Sequence, residues 1–353
     1  MPVHTLSATD ALLRIDGFDT VIDARSEDEY DLDHLPQAVN WPTLNNAERA
    51  AIGTMYKQVN AFEAKKRGAA LAARNIAGHI EHHALDKPRD WKPLVYCWRG
   101  GNRSGALATI LGAIGFQVTL IEGGYKAWRH ALVADLPVQV ERLRFRVICG
   151  PTGSGKTRLL QHLERHGAQV LDLEALACHR SSVLGHIPGV PQPSQKRFDS
   201  LVWERLRLFD SERPVFVESE SKKVGNLRVP DALIDAMRAS PCIDLRLPDE
   251  ERVALLMEEY EFFVNDPDFF CRRLEALTEL RGKAVVSEWT ANVREGHTAA
   301  VVLDLLKQHY DPTYSASIHR NFLQYDNALP LPLTDRAPST FDDAALHLIQ
   351  GTT

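Results

Sequence analysis

The sequence predicts two consecutive α/β domains, each built on a parallel, doubly wound sheet, with a helical region towards the C-terminus. Three observations support this fold class. Short apolar runs alternate with helix-forming segments, which is typical of parallel sheets with helical crossovers. Two of these runs end in glycine-rich loops that precede helices, at residues 97–104 and 150–157. Between the two loops, Leu136 and Pro137 interrupt the pattern and indicate a boundary.

This boundary and a later break divide the chain into three parts. We expect the first domain at residues 1–137, with a helical insert at about 44–85, and the second domain at 138–310. Residues 311–353 begin with Asp311-Pro312, which interrupts a run of helical segments, and we expect a C-terminal tail there.

The elements of the first domain follow from apolar spacing and capping residues. They are a strand at 20–25, a helix capped by Ser26, a short strand that Pro42 ends, the helical insert, a strand at 94–96, a helix at 104–114 closed by Gly115, a strand at 118–121 and a final helix. The second domain has strands at 143–149, 168–174, 214–221 and 242–247, with helices at 158–166, 249–261, 270–310 and 341–349.

The composition is that of a globular protein, with 44% hydrophobic and 25% charged residues. No apolar run approaches the ~20 residues that span a bilayer, and the N-terminus lacks the pattern of a secretory signal. The five cysteines are widely spaced without a CxxC pair, which argues against a disulfide framework and a zinc knuckle. We therefore expect a cytoplasmic protein that keeps its thiols reduced and has no membrane partner.

The charge is distributed unevenly along the chain. Residues 1–137 carry a net charge of −1, residues 138–240 carry +4, and residues 241–353 carry −9. A polyanion, if one binds, is therefore expected on the middle segment.

Cys97 ends an apolar strand and precedes a helix, a position that favours a thiolate. Loop N–H groups and the helix dipole supply partial positive charge, and Arg99 and Arg103 add full charges. The alternative is a buried structural cysteine, which is the commoner role of a lone cysteine. Because a core cysteine needs neither the loop glycines nor the arginines, we favour a reactive thiol with both arginines in its site.

Residues 150–157 match the phosphate-binding pattern GxxxxGK[ST] in full. The pattern follows a predicted strand and opens a predicted helix, which is the context that such a loop requires. The side chain of Lys156 adds a positive charge for terminal phosphates, and the Thr157 hydroxyl is a ligand for Mg²⁺. The residues expected to hold a phosphorylated ligand are Gly150, Thr152, Gly153, Ser154, Gly155, Lys156 and Thr157.

Acidic residues end two of the strands predicted after this loop. Asp172 follows one strand and Glu218 follows the other, and either carboxylate could hold Mg²⁺ together with Thr157. We favour Glu218 because its strand is the more apolar. The alternative for each is a capping role.

Basic residues gather in loops that follow the second-domain strands, where open sheets bind their ligands. We interpret them as a polyanion surface, the alternative being a solvated basic loop. These residues are Arg180, Lys196, Arg197, Lys222, Lys223 and Arg228. His179 and His186 form a potential metal pair that lacks a third ligand at useful spacing.

Several short motifs occur in the order that is typical of rhodanese domains, over roughly residues 8–135. They are Asp23-x-Arg25, Glu29, His34-x-Pro36-x-Ala38, the loop at Cys97 and Glu122-Gly123-Gly124-x-x-x-Trp128. The first domain therefore resembles a rhodanese. One departure is the loop length, because five residues separate Cys97 from Arg103 where sulfurtransferases have four. Cysteine phosphatases share the longer loop, but Tyr96 replaces the histidine typical of those enzymes.

The two loops together resemble those of bacterial tRNA 2-selenouridine synthases, which join a rhodanese-like domain to a P-loop NTPase-like domain. Further matching segments are Gly53-Thr54-x-Tyr56-Lys57-Gln58, Phe62-Glu63-Ala64-Lys65 and Glu218-Ser219-Glu220-Ser221. The family often has an apolar residue in place of Asn102. The last ~40 residues contribute little to the match.

The resemblance implies a reaction on 2-thiouridine at the wobble position of tRNA. Its sulfur would first be geranylated by geranyl diphosphate held at the phosphate-binding loop, with Mg²⁺ and without nucleotide hydrolysis. Selenophosphate, made by another enzyme, would then supply selenium. Cys97 would carry this selenium as a selenenylsulfide while Arg99 and Arg103 bind phosphate. The basic residues of the middle segment would face the tRNA.

Two other functions remain open, and so does the geranyl site. One alternative is a sulfurtransferase or cysteine phosphatase fused to an ATP-binding, kinase-like domain. Another is a nucleotide-regulated tRNA-binding module without chemistry. The geranyl chain could bind the helical insert or a group of aromatic residues that could equally belong to the core: Phe262, Phe263, Phe269 and Phe270.

Overall fold

The structure, a computed structural model, describes residues 3–180, 185, 187 and 189–351. His186, one member of the potential metal pair, lies outside the described residues. Within the described residues, no helix is long and apolar enough to cross a membrane.

Twelve strands are formed by the described residues. They are β1 His4–Leu6, β2 Thr20–Asp23, β3 Ala38–Asn40, β4 Pro93–Tyr96, β5 Thr119–Ile121, β6 Phe145–Cys149, β7 Gln169–Leu171, β8 Val215–Glu218, β9 Lys223–Val224, β10 Leu227–Arg228, β11 Cys242–Arg246 and β12 Leu329–Pro332.

The α-helices of the described residues are more numerous. They are α1 Ala8–Arg14, α2 Glu27–Leu32, α3 Asn46–Gln58, α4 Ala61–His83, α5 Asn102–Ile114, α6 Gly124–Glu141, α7 Lys156–Arg165, α8 Leu173–Ala177, α9 Gln195–Leu208, α10 Asp231–Ala239, α11 Asp249–Glu259, α12 Glu261–Asn265, α13 Pro267–Leu274, α14 Thr278–Arg281, α15 Lys283–Arg294, α16 Thr298–Leu305, α17 Asp311–Asn321 and α18 Pro338–Gln350. Short 3₁₀ turns at Ile15–Gly17, Glu275–Leu277 and Tyr325–Asn327 and a π-helical turn at Leu306–Tyr310 complete the set.

The chain forms two compact units. The first comprises Met1–Val138 and Pro193–Glu204, and the second comprises Gln139–Gln192 and Arg205–Thr353. This division differs from the expected one in two places, because residues 193–204 join the first unit and the residues expected to form a tail join the second.

The first unit contains a five-stranded sheet in the order β1-β5-β4-β2-β3, in which every neighbouring pair is parallel. The prediction of a parallel sheet is therefore confirmed. In the register of β2 and β4, Asp23 lies opposite Tyr96. The carboxyl ends of these strands consequently meet, which brings the Asp23-x-Arg25 motif beside Cys97.

The insert forms two helices, α3 and α4, as expected. Asn45 and Glu48 form a capping box at the start of α3, and the Asn60 side chain accepts N–H bonds at the start of α4. Helix α4 buries Ala64, Ala72 and Ile76, whereas α3 has no fully buried residue.

Residues 193–204 pack into the first unit through polar and apolar contacts. Trp203 lies edge-on to Trp128 with ring centroids 5.7 Å apart, and its indole N–H donates to Asp135 at 2.7 Å. Ser200 donates to Asp33 at 3.1 Å, and Arg129 forms an ion pair with Asp199. These partners are distant in sequence, which explains why the expected domain boundary misses them.

The second unit contains a five-stranded parallel sheet in the order β12-β11-β6-β8-β7. Ile148 of the central strand β6 pairs with Glu218 of β8. The strand ends therefore bring residues 150–157 close to Glu218, which is the arrangement that a phosphate-binding loop with a metal-binding carboxylate requires.

The expectation of a tail at residues 311–353 differs from the structure. Strand β12 pairs in parallel with β11 at the edge of the sheet, where a strand tolerates its two prolines. Helix α18 places Phe341 and Leu348 in the core against Leu159 and Leu163 of α7. Asp311-Pro312 does not break a helix but begins α17, because proline is compatible with the first turn.

Candidate functional sites

Cys97 lies directly after β4 in residues 97–104, here called the cysteine loop. Backbone contacts from neighbouring segments hold this loop in place. The Cys97 side chain is 3% exposed. The N–H groups of Tyr125 and Lys126 donate to the carbonyls of Cys97 and Trp98 at 2.8 and 3.0 Å. Gly100 adopts a φ of +66°, and a Cβ atom there would lie 2.9 Å from the Ile121 carbonyl. The loop therefore needs glycine at this position.

Ser104, in the first turn of α5, is a candidate site residue that the sequence analysis missed. Its hydroxyl is fully buried and donates a hydrogen bond to Sγ of Cys97 at 3.1 Å. A thiolate accepts such a bond more strongly than a thiol does. The serine that follows Arg103 was the available signal, but a serine at a helix start is ordinarily interpreted as a cap.

The two arginines of the cysteine loop differ in their surroundings. Arg99 is exposed, whereas Arg103 donates to Glu29 at 2.6 and 3.4 Å. Arg49 also pairs with Glu29, at 2.9 Å. Burial alone would raise the pKa of Glu29, but the hydrogen bond and charge of Arg103 and the charge of Arg49 outweigh it, so the pKa lies below its usual value. Glu29 therefore stays ionised and orients Arg103.

A buried network supports the residues on either side of Cys97. Asp23 accepts bonds from the Arg25 guanidinium and from the hydroxyl of Tyr96 at 2.7 Å. Arg25 also lies 4.1 Å from the centroid of the Tyr125 ring, and Tyr125 donates to Asp33 at 2.7 Å. Burial raises the pKa of both tyrosines, so their hydroxyls remain donors. The Tyr96 hydroxyl also accepts the Leu35 N–H at 3.2 Å, so this residue links β4 to the network.

Lys196 and Arg197, two of the predicted polyanion-binding residues, belong to the same unit as the cysteine loop. The Lys196 ammonium lies 5.9 Å from the ring centroid of Trp98, which in turn stacks on Tyr125 at 5.4 Å. Arg197 donates to the His34 carbonyl at 3.3 Å. Residues from the basic middle segment thus lie beside the cysteine, which the sequence analysis did not foresee.

Residues 150–157, here called the phosphate loop, connect β6 to α7. Gly155 has a φ of +85°, and a Cβ atom there would lie 2.6 Å from the Phe341 ring. The Lys156 ammonium donates to the Gly150 carbonyl at 2.8 Å, and the Gly150 N–H donates to the Tyr314 hydroxyl at 2.5 Å. The loop conformation therefore depends on contacts from α17 and α18 that no local motif reveals.

Two further features of the phosphate loop bear on ligand binding. The Ser154 hydroxyl is buried and has no hydrogen-bond partner among the described residues. The carbonyl of Thr152 accepts two bonds from Arg252, at 2.8 and 3.0 Å, and Arg252 also pairs with Asp311 at 2.6 Å. Arg252, absent from the sequence analysis, thus anchors the outer part of the loop.

Three carboxylates gather beside the phosphate loop. Oxygen atoms of Glu174, Glu218 and Glu220 lie within 4.8 Å of one another. The Thr157 hydroxyl is 3.4 Å from Glu174 and 3.5 Å from Glu218. Asp172, by contrast, caps α8 by accepting the Ala175 N–H at 2.8 Å. The predicted pair of Thr157 and Glu218 is therefore close together, with two glutamates that the sequence analysis missed.

Glu218 is the most deeply buried of these carboxylates. It is 1% exposed, and its Oε1 atom has no hydrogen-bond partner among the described residues. Burial, together with the charges of Glu174 and Glu220, raises the pKa of Glu218 well above its usual value. An unpaired buried oxygen beside two carboxylates and a hydroxyl fits a hard cation such as Mg²⁺.

The phosphate loop and these carboxylates line a cavity of about 780 Å³. Arg180 also lines it, and its guanidinium lies 4.5 Å from the Tyr260 ring centroid while donating to the Glu259 carbonyl. Burial raises the pKa of Glu259. One predicted polyanion-binding residue therefore faces the phosphate-loop cavity.

The remaining predicted polyanion-binding residues lie on or next to the small hairpin of β9 and β10. Lys222, Lys223 and Arg228 are exposed, and Arg228 pairs with Asp231 at 2.9 Å. The six residues predicted as one surface are thus divided between the two units, with Lys196 and Arg197 in the first.

Two protein-family models match parts of this chain. Residues 7–131 match the rhodanese-like domain, and residues 143–266 match the tRNA 2-selenouridine synthase AAA domain. The rhodanese-like fold expected for the first domain and the P-loop-like fold expected for the second are thereby confirmed.

Curated relatives named tRNA 2-selenouridine synthase align with much of the chain. The protein of Nitrosomonas europaea is 38% identical over 68% of this chain, and that of Nitrosomonas eutropha is 37% identical over 68%. These alignments span 63% and 62% of the length of those two relatives. The protein of a Sulfurovum species is 30% identical over 85% of this chain and 89% of its own length.

Proposed function

This chain belongs to the tRNA 2-selenouridine synthase family, and we propose that it converts wobble 2-thiouridine in tRNA to 2-selenouridine. The conversion proceeds through S-geranylation by geranyl diphosphate and then replacement of the geranylated sulfur by selenium from selenophosphate. The single observation that carries the proposal is that one chain joins a nucleophilic cysteine loop to a phosphate loop with a carboxylate cluster.

Geranylation is assigned to the phosphate loop. The nucleoside sulfur attacks C1 of geranyl diphosphate, the C–O bond breaks, diphosphate leaves, and the nucleoside loses its N3 proton. The N–H groups of the loop and the Lys156 ammonium, which now donates to neutral carbonyls, hold the departing diphosphate. Thr157 with Glu174, Glu218 and Glu220 would hold Mg²⁺, which would neutralise diphosphate charge. No nucleotide is hydrolysed in this scheme.

Selenium transfer is assigned to Cys97. Selenium in selenophosphate is already at the selenide level, so attack of Sγ on phosphorus forms an S–P bond and releases hydrogen selenide without an oxidant. Hydrogen selenide attacks C2 of the S-geranyl nucleoside, geranylthiolate leaves, and water returns the cysteine by releasing phosphate. The five residues between Cys97 and Arg103 support this route, because cysteine phosphatases use that spacing for phosphoryl groups.

Several side chains near Cys97 have defined tasks in this step. Ser104 donates to Sγ, and Arg103 has N–H groups beyond the two bonded to Glu29 with which to bind the phosphoryl oxygens. Arg99 is exposed and available for the same oxygens. Lys196 lies next to Trp98, where a cation and an aromatic ring suit an RNA strand.

The proposed setting is the cytoplasm, with tRNA as the macromolecular partner and a selenophosphate-producing enzyme as the source of selenium. All five cysteines are free. A reducing compartment would keep the Cys97 thiol available.

The test is reconstitution with tRNA that carries 2-thiouridine, geranyl diphosphate and selenophosphate, followed by mass spectrometry of the wobble nucleoside. The wild-type chain should yield the S-geranyl nucleoside and then 2-selenouridine. Cys97→Ala should retain geranylation and lose selenation, because only the second step uses the thiol. Equal loss of both activities from folded Cys97→Ala would contradict separate sites, and a need for ATP hydrolysis would contradict the role given to the phosphate loop.

The adduct on Cys97 distinguishes two routes for selenium. Enzyme quenched after mixing with selenophosphate should carry phosphorus on Cys97, detected by ³¹P NMR and by the absence of the selenium isotope pattern in the peptide mass. A selenium-bearing peptide would instead support the selenenylsulfide. Release of phosphate from aryl phosphates, with no modified tRNA, would favour the phosphatase alternative.

A further inference from the structure

A second, apolar cavity adjoins the phosphate loop. It has a volume of about 50 Å³, and its walls are almost wholly apolar. Its lining residues include Leu256, Tyr260, Phe263, Phe270 and Val302. Thr152, Leu256, Tyr260 and Tyr310 line this cavity and also the 780 Å³ cavity of the phosphate loop. The two cavities therefore share a wall at the loop.

Helix α11 connects the loop to this cavity. Arg252 on α11 holds the Thr152 carbonyl, and Leu256, one turn further along, lines both cavities. A Cβ atom on Gly153 would lie 2.9 Å from the Leu256 side chain. The phosphate loop is thus in direct contact with an apolar wall.

Tyr260 marks the change from charged to apolar surroundings. The Arg180 guanidinium lies 4.5 Å from its ring centroid, and the Phe263 ring stacks on it at 5.6 Å. Phe263 in turn stacks on Phe270 at 4.9 Å. Charged side chains of both signs therefore surround one end of the combined space, and aromatic and aliphatic side chains surround the other.

We infer that this apolar cavity binds the end of the hydrocarbon tail of the diphosphate substrate whose head is held by the phosphate loop. The inference rests on the proposed function for the head group and adds the site of the tail. Phe263 and Phe270 are also members of the helical core, so the two roles considered for them are compatible. The helical insert α3–α4 is not needed for the tail.

The test compares binding of inorganic diphosphate and geranyl diphosphate to the full chain by isothermal titration calorimetry with Mg²⁺. Wild-type protein should bind geranyl diphosphate about 100-fold more tightly, since each buried methylene contributes roughly fourfold and the cavity admits the equivalent of about three to four of them. Val302→Phe fills the cavity from its half-buried position on α16 and should reduce this preference about tenfold while leaving inorganic diphosphate affinity within about twofold. Val133→Phe, at a 53% exposed position, is the matched control.

The outcomes separate the tail site from the proposed function. If neither ligand binds wild-type protein, the role of the phosphate loop fails. If both bind but Val302→Phe keeps the full preference for geranyl diphosphate, the tail site alone is overturned. Unchanged binding of inorganic diphosphate shows that the variant is folded. If the variant does not fold, binding of dimethylallyl diphosphate to wild-type protein decides the question. Its affinity should lie between those of inorganic diphosphate and geranyl diphosphate, and equal affinities for all three ligands would overturn the inference.

Discussion

The cysteine loop and the phosphate loop occupy equivalent positions in their sheets but differ in their side chains. Each connects the end of a buried parallel strand, β4 or β6, to the start of a helix, α5 or α7. In each loop, backbone N–H groups and the positive end of a helix dipole therefore lie around one point. The cysteine loop places the Cys97 thiol at that point, whereas the phosphate loop lines a cavity there.

The charged side chains of the two loops explain the difference in their chemistry. Arg103 is oriented by an ion pair with Glu29, which is itself held by Arg49. Lys156 donates to neutral carbonyls, and carboxylates lie on the other side of Thr157. A pre-oriented guanidinium suits a phosphoryl group under attack, while an ammonium beside a candidate cation site suits a leaving diphosphate. On the proposed function, one loop therefore binds the group that is attacked and the other binds a leaving group.

The largest effect that separates the two loops is expected from Lys156→Ala. Geranylation should fall about 10² to 10³-fold, since the charge that stabilises departing diphosphate is lost. Selenation of tRNA that has been geranylated beforehand should change less than about twofold. Nucleoside mass spectrometry measures both rates, and Lys283→Ala, at an exposed position of α15, is the control. A parallel loss of selenation would mean that the two loops do not act separately.

A smaller effect is expected from Ser104→Ala. Selenation of geranylated tRNA should fall about tenfold, because Sγ loses the hydrogen bond that the Ser104 hydroxyl donates to it. Alkylation of Cys97 by iodoacetamide, followed by peptide mass spectrometry, should slow in the same direction, and geranylation should be unaffected. Thr109→Ala removes a hydroxyl that bonds to the Gly105 carbonyl on the same helix and serves as control. Unchanged alkylation would show that Ser104 is only structural.

The smallest effect is expected from Glu29→Gln and is a change in stability with pH. Because the folded-state pKa of Glu29 is lowered, its ionised form stabilises the protein above the unfolded pKa of ~4.3, and this contribution is lost as pH falls through the folded pKa. The variant should unfold at a lower temperature than wild type at pH 7, and the difference should shrink in acid. Calorimetry at pH 7 and at acid pH measures this difference in unfolding temperature.

Glu63→Gln provides the control for this stability measurement. Glu63 pairs with Lys66 at 2.6 Å, but both side chains are about half exposed, and such pairs contribute little. A difference for Glu29→Gln that stays constant between neutral and acid pH would contradict the role given to the Glu29 charge.

Much of both sites could be predicted from the sequence because the loops are contiguous. Cys97 with Arg103, and Gly150 through Thr157, occupy single strand–loop–helix segments that local sequence patterns identify. Glu218 is favoured as the partner of Thr157 because its strand is the more apolar, and the structure pairs that strand with β6. The partners that orient these groups could not be predicted this way. Glu29 and Arg103, for example, are 74 residues apart.

The sequence by itself therefore determined the two α/β folds and predicted the cysteine loop and the phosphate loop as candidate sites, since glycine, charge and apolar spacing act over a few residues. Only the tertiary structure decided that residues 193–204 join the cysteine unit, that β12 and α18 complete the second sheet and its core, and that an apolar cavity adjoins Thr152. The physical reason is that these contacts depend on side chains from distant segments, and their complementarity exists only once the strands have paired.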